Sequence, residues 1–479
     1  MHIILLSGGS GKRLWPLSND VRSKQFIKLF KNDNGKYESM VQRVYRQIQT
    51  VNSDMEVTIA TSKSQVSAIR NQLGNKVSIC LEPCRRDTFP AIALAAAYLK
   101  DVQGLSEEDC VAVCPVDPYV DNTYYQTVQK LEKIVNEGQS NLVLMGIEPT
   151  VPSEKYGYII PVDKNEISRV AKFTEKPDTE TAKEYIKQGA LWNAGVFAFK
   201  LGYLLNKAHE LIDFVDYADL FKKYDTLTKI SFDYAVVEKE PNIQVLRYAG
   251  QWKDVGTWNM MAEVMADKTK GDVILDDTCK DTNVVNELNI PILCMGCENM
   301  VVAASEDGIL VSTKERSGYM KPYVEKIDNP SMFAEKSWGT FTVIDNQKNS
   351  KTIKIEMKPN MEMSYHSHSY RSEIWNIISG TGVVCINGEL KNVRAGDVVQ
   401  IPVNTRHSIK ANEKMEIIEI QLGEFIKSNS SAALNKSPSI SICISPPCNS
   451  VRLRAIESPK PLPSVFREVS PRTKRSVRS

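Results

Sequence analysis

Ser7, Gly8, Gly9, Ser10 and Gly11 make a turn almost without side-chain bulk, and Lys12 and Arg13 follow at once. Such a turn lets backbone N–H groups come close to a phosphate or a base, and adjacent cations neutralise phosphate charge. Arg22 and Lys24 add a second basic pair one short loop later. Two common glycine motifs are excluded. A Walker loop needs Ser or Thr where Arg13 stands, and a dinucleotide fingerprint needs a third glycine where Leu14 stands. The turn reads as a nucleotide site of another kind.

Carboxylates and imidazoles supply two further candidate sites. Asp117 falls just past the apolar strand 111–114, and Asp254 lies between aromatic residues in QWKDVGTW. Mg²⁺ bridging phosphate oxygens is typically held by one or two such carboxylates. The chain has five histidines, and His366, His368 and His407 fall close together with Glu373. His-x-His on a strand puts both imidazoles on one face, because side chains repeat every second residue. Three imidazoles and a carboxylate suit Zn, Fe, Ni or Mn, so the identity of this divalent transition metal stays open.

The elements that must position these groups follow from pattern. Four apolar residues ending at Leu6 read as a buried central strand that delivers the glycine turn. Residues 56–61 read as a strand, 65–73 as a helix and 77–81 as a strand. Pro90, near the start of an Ala-rich run, opens a helix with Thr88 as candidate cap. Glu82, Arg85, Arg86, Asp87 and Thr88 then lie at a strand's carboxyl end, where ligands collect in open α/β sheets. Trp192-Asn193-Ala194-Gly195 opens another apolar strand, 196–199. This alternation predicts an α/β domain with a mixed, mostly parallel sheet over residues 1–270.

GGSGKRLWPLS followed by KQF is similar to the signature of sugar-nucleotide pyrophosphorylases, and LWPLS with KQF points to the mannose-1-phosphate guanylyltransferase branch. Lys12 stands where that family has a small residue or Thr, and Ser23 where it has Pro. The resemblance implies a Rossmann-like nucleotidyltransferase domain acting on GTP and mannose 1-phosphate. It implies that Arg13 and Lys24 act on the triphosphate, and that Leu6, Gly8, Gly9, Gly11, Lys12, Glu82, Arg86, Asp87 and Thr88 contact the nucleotide. It further implies Mg²⁺ on Asp117 and Asp254, with Lys176 on the sugar phosphate and Glu175 and Asn193 towards the sugar hydroxyls. Gly157 allows close backbone approach, and Asp233 keeps its family place in FDYAVVEK, where Phe232 replaces the more usual Ile.

The pattern from His366 through Gly380, Gly396 and Pro402 to His407 resembles both cupin motifs, with Asn360 and Asn404 where cupins have glycine. The resemblance implies a C-terminal all-β jelly roll of about eight strands over residues 331–425. In bifunctional relatives this domain is a metal-dependent mannose-6-phosphate isomerase. Their motif has Gln at the place of His366 and His at the place of Ile374, while Arg371 and Trp375 are kept. Two readings stay open: an isomerase, or a cupin that binds metal or sugar phosphate without turnover.

The short apolar pieces of 271–330, separated by Asn, Asp and Gly, read as a β-rich spacer, and the family carries a short β-helix-like connector there. After Gly423 the text turns Ser- and Pro-rich, with ten Lys and Arg against three Asp and Glu, which reads as a disordered basic tail over 426–479. A formal net charge of +2 over 479 residues argues against nucleic acid or membrane as main partner. No signal peptide or span is visible, and ten dispersed cysteines suit reduced thiols in a cytoplasm. Cys294-x-x-Cys297 offers half of a zinc site without a second pair. A homo-oligomer is expected. Alternative readings are another sugar-1-phosphate nucleotidyltransferase, or a sugar-nucleotide sensor that keeps the fold for binding alone.

Overall fold

Ile3 and Leu5 face one side of the first strand and Ile4 the other, and none of the three has any solvent exposure. A strand buried on both faces is central to a sheet, as its apolar run predicts. The computed structural model describes residues 1–9, 12–19, 21–327 and 331–423, with the backbone of two short strands at Ile440–Ser441 and Arg454–Ala455. Apart from those two strands, the expected tail lies outside the described residues. The chain divides into two compact units, Met1–Val343 and Ile344–Ser479.

The first unit is built on nine strands: β1 His2–Leu6, β2 Glu56–Ser62, β3 Ser78–Glu82, β4 Cys110–Pro115, β5 Leu142–Ile147, β6 Tyr158–Pro161, β7 Ile167–Thr174, β8 Leu191–Lys200 and β9 Ile243–Tyr248. Their order across the sheet is β3-β2-β1-β4-β8-β5-β9-β7-β6. All run one way except β7 and β8, so the sheet is mixed and mostly parallel in sense. Helices Met40–Val51, Lys63–Leu73 and Asn122–Glu137 cover one face, and Thr88–Asp101, Leu201–Leu211 and Tyr217–Lys223 the other.

The helix Thr88–Asp101 corrects one expectation. Its N-cap is Asp87, whose side chain accepts from the Thr88 backbone N–H at 2.8 Å; Thr88 is the first helical residue. The Thr88 hydroxyl is used elsewhere, accepting from the Phe232 N–H at 2.8 Å. Asp87 holds φ at +72°, a conformation that Asp tolerates better than most residues.

After the sheet, short strands pair in parallel, Val273–Leu275 with Ile292–Cys294 and Asn283–Asn286 with Met300–Ser305, before Gly308–Thr313 closes antiparallel. A hairpin of Phe333–Lys336 with Gly339–Asn346 follows, and Asn71 donates to its Lys336 and Gly339 carbonyls at 2.7 and 2.9 Å.

The second unit contains β10 Ser350–Met357, β11 Ser372–Ser379, β12 Thr381–Ile386, β13 Glu389–Arg394, β14 Val398–Ile401, β15 His407–Ala411 and β16 Met415–Leu422. They form two antiparallel sheets, β10-β16-β11-β14 and β13-β12-β15. Asn360 and Asn404 take φ of +61° and +63°, which explains how Asn serves at two expected glycine positions: Asn enters the left-handed region more readily than other side-chain-bearing residues. Among the described residues no helix is long and apolar enough to cross a membrane.

Candidate active site and metal centre

The strand Trp252–Asp254 pairs antiparallel with Pro118–Val120, and the register sets Asp254 opposite Pro118. Asp117, the next residue, is thereby brought beside Asp254. Lys24 Nζ lies 2.9 Å from Asp117 Oδ2. A Cβ placed on Gly256 would stand 3.1 Å from Asp254 Oδ1 and 3.7 Å from Arg13 Nη1, so Arg13 flanks the same carboxylate. Two cations and two carboxylates from four chain segments thus gather beyond the carboxyl ends of β1 and β4.

The glycine turn is fixed from beneath by a buried amide that the sequence did not single out. Gln65 Oε1 accepts from Ser7 Oγ, Gln25 Nε2 and Thr61 Oγ1 at 3.2, 3.2 and 2.8 Å. Gln65 Nε2 donates to Ser23 Oγ at 2.9 Å and to the Gly9 carbonyl at 3.4 Å. Ser23, at the family's proline position, also donates to the Gly9 carbonyl at 3.3 Å. The network ties the turn to the segment carrying Lys24. Gly11 lies outside the described residues; Lys12 and Arg13 stand in the short 3₁₀ turn Lys12–Leu14.

Arg22 does not join the phosphate cations. It is buried in a two-pronged pair with Glu287, at 2.6 and 3.1 Å, and stacks over Phe333. The 271–330 segment therefore anchors the loop before Lys24, which spacing alone did not reveal.

Glu82, at the end of β3, approaches the glycine turn: its Oε1 would lie 3.7 Å from a Cβ on Gly8. Its Oε2 accepts from the Tyr224 hydroxyl at 3.0 Å, and burial raises its pKa above the ordinary carboxylate range. Leu6 ends β1 and its carbonyl accepts from Val116. Arg86 is half-buried beside the Asp87 cap, and its Nε makes no hydrogen bond among the described residues.

The expected sugar residues also converge. The Asn193 N–H donates to the Gly157 carbonyl at 2.8 Å, and Asn193 Nδ2 donates to Asp233 Oδ1 at 2.7 Å. A Cβ on Gly157 would collide with Glu175 and with Phe173, at 2.9 Å from the latter. Lys176 pairs with Glu175 and has φ of +48°. Burial, reinforced by the Glu175 charge, pushes the Asp233 pKa up to about 7. Tyr156, Trp192 and Trp252 pack in tilted and edge-on contacts with centroids 4.7, 5.5 and 6.2 Å apart, joining the Gly157 and Asn193 turns to the strand of Asp254. The Thr88–Phe232 bond ties the Glu82–Thr88 segment to the Asp233 helix.

In the second unit, His366, His368 and His407 bring ligand nitrogens within 4.8 Å of one another. Of the three only His407 lies in a strand; His366 and His368 stand in irregular backbone rather than on one strand face as expected, and His366 meets His407 across an isolated backbone bridge. Their Nδ1 atoms meet the Ser364 and Thr405 carbonyls at 2.6 and 2.9 Å. A carbonyl only accepts, so both Nδ1 atoms carry the proton and both Nε2 lone pairs are left to act as ligands. Among the described residues His407 Nε2 is buried without a hydrogen bond, and it lies 3.3 Å from Glu373 Oε2. Two electron-rich atoms aimed at each other fit a cation between them. Burial, with His407 nearby, lowers the His366 pKa to about 4, keeping that imidazole neutral.

Glu373 is also bonded by Arg371 Nε at 2.9 Å and Trp375 Nε1 at 3.2 Å. Burial opposes its charge, but His368 and the Arg371 charge hold its pKa below the usual range. Glu419 is pushed the other way, to about 8, by burial and the Glu373 charge. The inner faces line up in rows, Lys351–Gln421–Glu373, then Ile353–Glu419–Trp375, then Ile355–Ile417–Ile377. The barrel is thus polar at one end and apolar beyond it. Lys351, Glu419 and Gln421 went unrecognised in sequence because polar residues alternating on a strand ordinarily face solvent.

Residues 2–271 match the family described as Nucleotidyl transferase, and residues 326–435 that described as Mannose-6-phosphate isomerase C-terminal. The chain is 31% identical over 460 residues to the xanthan biosynthesis protein XanB of Xanthomonas campestris pv. campestris, covering 88% of this chain and 96% of that protein. It is 28% identical over 466 residues to a mannose-1-phosphate guanylyltransferase of Klebsiella pneumoniae, with the same coverage. A crystal structure described as mannose-1-phosphate geranyltransferase from Thermus thermophilus superposes with a TM-score of 0.56 at 26% identity, over 68% of this chain and 99% of that one.

Proposed function

The chain belongs to the nucleotidyl transferase family, and from that premise we propose that it joins GTP to α-D-mannose 1-phosphate, giving GDP-mannose and pyrophosphate. The observation that carries the reading is the ladder that sets Asp117 beside Asp254 with Lys24 and Arg13 at hand. A phosphate oxygen of the sugar attacks the α-phosphorus in line; that P–O bond forms as the bond to the bridging β-oxygen breaks, and pyrophosphate leaves with the electron pair. Positioning and charge neutralisation carry such a transfer. Arg13 and Lys24 neutralise the triphosphate, and Lys176 holds the attacking phosphate. The two aspartates fit Mg²⁺, which when bound supplies further neutralisation of the leaving oxygens. Glu82 matches guanine, whose N1–H and 2-amino group offer adjacent donors to one carboxylate. The same reading places the enzyme in the cytoplasm, with its nucleotide and sugar phosphate.

The test is pyrophosphate release from GTP and mannose 1-phosphate, with the other nucleoside triphosphates and sugar 1-phosphates as competitors. Arg13→Ala should abolish most turnover while the protein stays folded; full turnover in that variant would sink the assignment.

The second unit has a mannose-6-phosphate isomerase-type domain, and we read it as a second catalytic centre. The Nε2 lone pairs of His366 and His407 favour this reading: with His368 in the same cluster and Glu373 beside His407, they fit a divalent transition metal able to polarise sugar oxygens. Fructose 6-phosphate offered with each divalent metal in turn should yield mannose 6-phosphate, and His368→Ala should stop it. No conversion with any metal, while GDP-mannose still forms, would leave a binding cupin.

A further inference from the structure

Among the described residues, the polar end of the C-terminal barrel holds a charge without a partner. Lys351 is an inward residue of β10, 4% exposed, in the row with Gln421 and Glu373. Among the described residues its ammonium makes no hydrogen bond and no ion pair. Its neighbours are all committed. Glu373 is bonded by Arg371 and Trp375, and Gln421 donates to Glu419 at 2.5 Å. The charges that act on Lys351 are Arg371, which repels it, and Glu419, which lies beyond pairing distance.

An ammonium on a side chain this little exposed and left unpaired is disfavoured, and an apolar side chain of that size would pack the position better. The residues below it in the same strand are Ile353, Ile355 and Met357, so the fold itself asks for no charge there. A second cation, Arg371, on the same end makes the position more hostile to a cation and more welcoming to an anion.

We propose that Lys351 is the anion anchor of this barrel, holding the phosphate of a hexose phosphate whose hydroxyls reach the His366–His368–His407 cluster. Lys351 and Glu373 lie on strands separated by one other, about 10 Å between backbones. A hexose phosphate spans such a gap between a phosphate at one end and hydroxyls at the other. The proposal rests on the isomerase-type reading of the domain and adds a residue that binds the charge of the ligand, remote from the atoms the cluster addresses.

The experiment is calorimetric titration of the full chain, its transferase site kept filled with GDP-mannose, with mannose 6-phosphate, inorganic phosphate and mannose. Wild type should bind mannose 6-phosphate best, phosphate more weakly and mannose least. Lys351→Met should weaken mannose 6-phosphate at least tenfold, Lys351→Arg should retain most of the affinity, and Lys351→Met should melt no lower than wild type. GDP-mannose synthesis should be unchanged in both variants. Equal affinity in wild type and Lys351→Met overturns the anchor while leaving the domain reading intact. Wild type that binds neither phosphate compound, while still forming GDP-mannose, overturns both.

Discussion

Lys24 Nζ lies 2.9 Å from Asp117 Oδ2, so the cation proposed for the triphosphate and a proposed Mg²⁺ ligand share one ion pair. In the proposed site Lys24 and Mg²⁺ compete for the Asp117 carboxylate. Lys24→Met should therefore raise KM for GTP yet lower the Mg²⁺ concentration needed for half-maximal rate. Asp117→Asn and Asp254→Asn should instead raise that Mg²⁺ requirement and lower kcat about a hundredfold or more. A Mg²⁺ titration of the rate in each variant checks the opposite signs.

Glu82 should set the choice of base. Replacing its carboxylate with an amide puts a donor against a guanine donor, a mismatch worth roughly 1–3 kcal/mol. Glu82→Gln should thus reduce the preference for GTP over ATP by at least about fivefold in kcat/KM. Burial raises the Glu82 pKa, so lowering the pH should protonate it above the ordinary carboxylate range and raise KM for GTP. In Glu82→Gln that rise should be absent.

Asp233 should be visible in the pH dependence of stability. Its pKa of about 7 when folded, against 3.8 for the free group, means the folded protein binds the extra proton between those values. The stability it contributes is fully present below pH 3.8 and is lost as pH rises through 7. Asp233→Asn should remove that loss, so the gap between variant and wild type in denaturant midpoint should widen from about pH 5 to about pH 8.

The Arg22–Glu287 pair should be costly to break from one side. Both groups are buried, and Glu287→Gln leaves a guanidinium without its counter-charge, which typically costs about 3–5 kcal/mol. Urea unfolding should register that loss in Glu287→Gln, whereas Arg22→Met with Glu287→Leu should recover much of it.

Much of the site was legible because the chemistry sits in short local motifs. The turn from Gly8 to Arg13, the Glu175-Lys176 pair, the run Trp192-Asn193-Ala194-Gly195 and the spaced histidines are each recognisable where they stand, and the alternating strands and helices gave the sheet that carries them. Residues whose meaning depends on a distant partner were not. Arg22 looks like Lys24 until Glu287 is placed against it. Gln65 reads as an ordinary helix residue until five bonds converge on its amide. Thr88 and Asp87 are both good caps, and only the use of the Thr88 hydroxyl by Phe232 decides between them. Lys351 and Glu419 face inward because of a pairing register that pattern alone leaves free.

The hydrogen-bonded hold of the later strands on the N-terminal loops also decides where the gene can be divided. The Nucleotidyl transferase match stops at 271, but a piece ending there would strand the Arg22 guanidinium and take away the acceptors of Asn71 and Asn19. The shortest fragment that keeps those contacts ends near Val343, where the first unit closes. Anyone wishing to crystallise the transferase by itself, or graft it to another enzyme, should place the cut there.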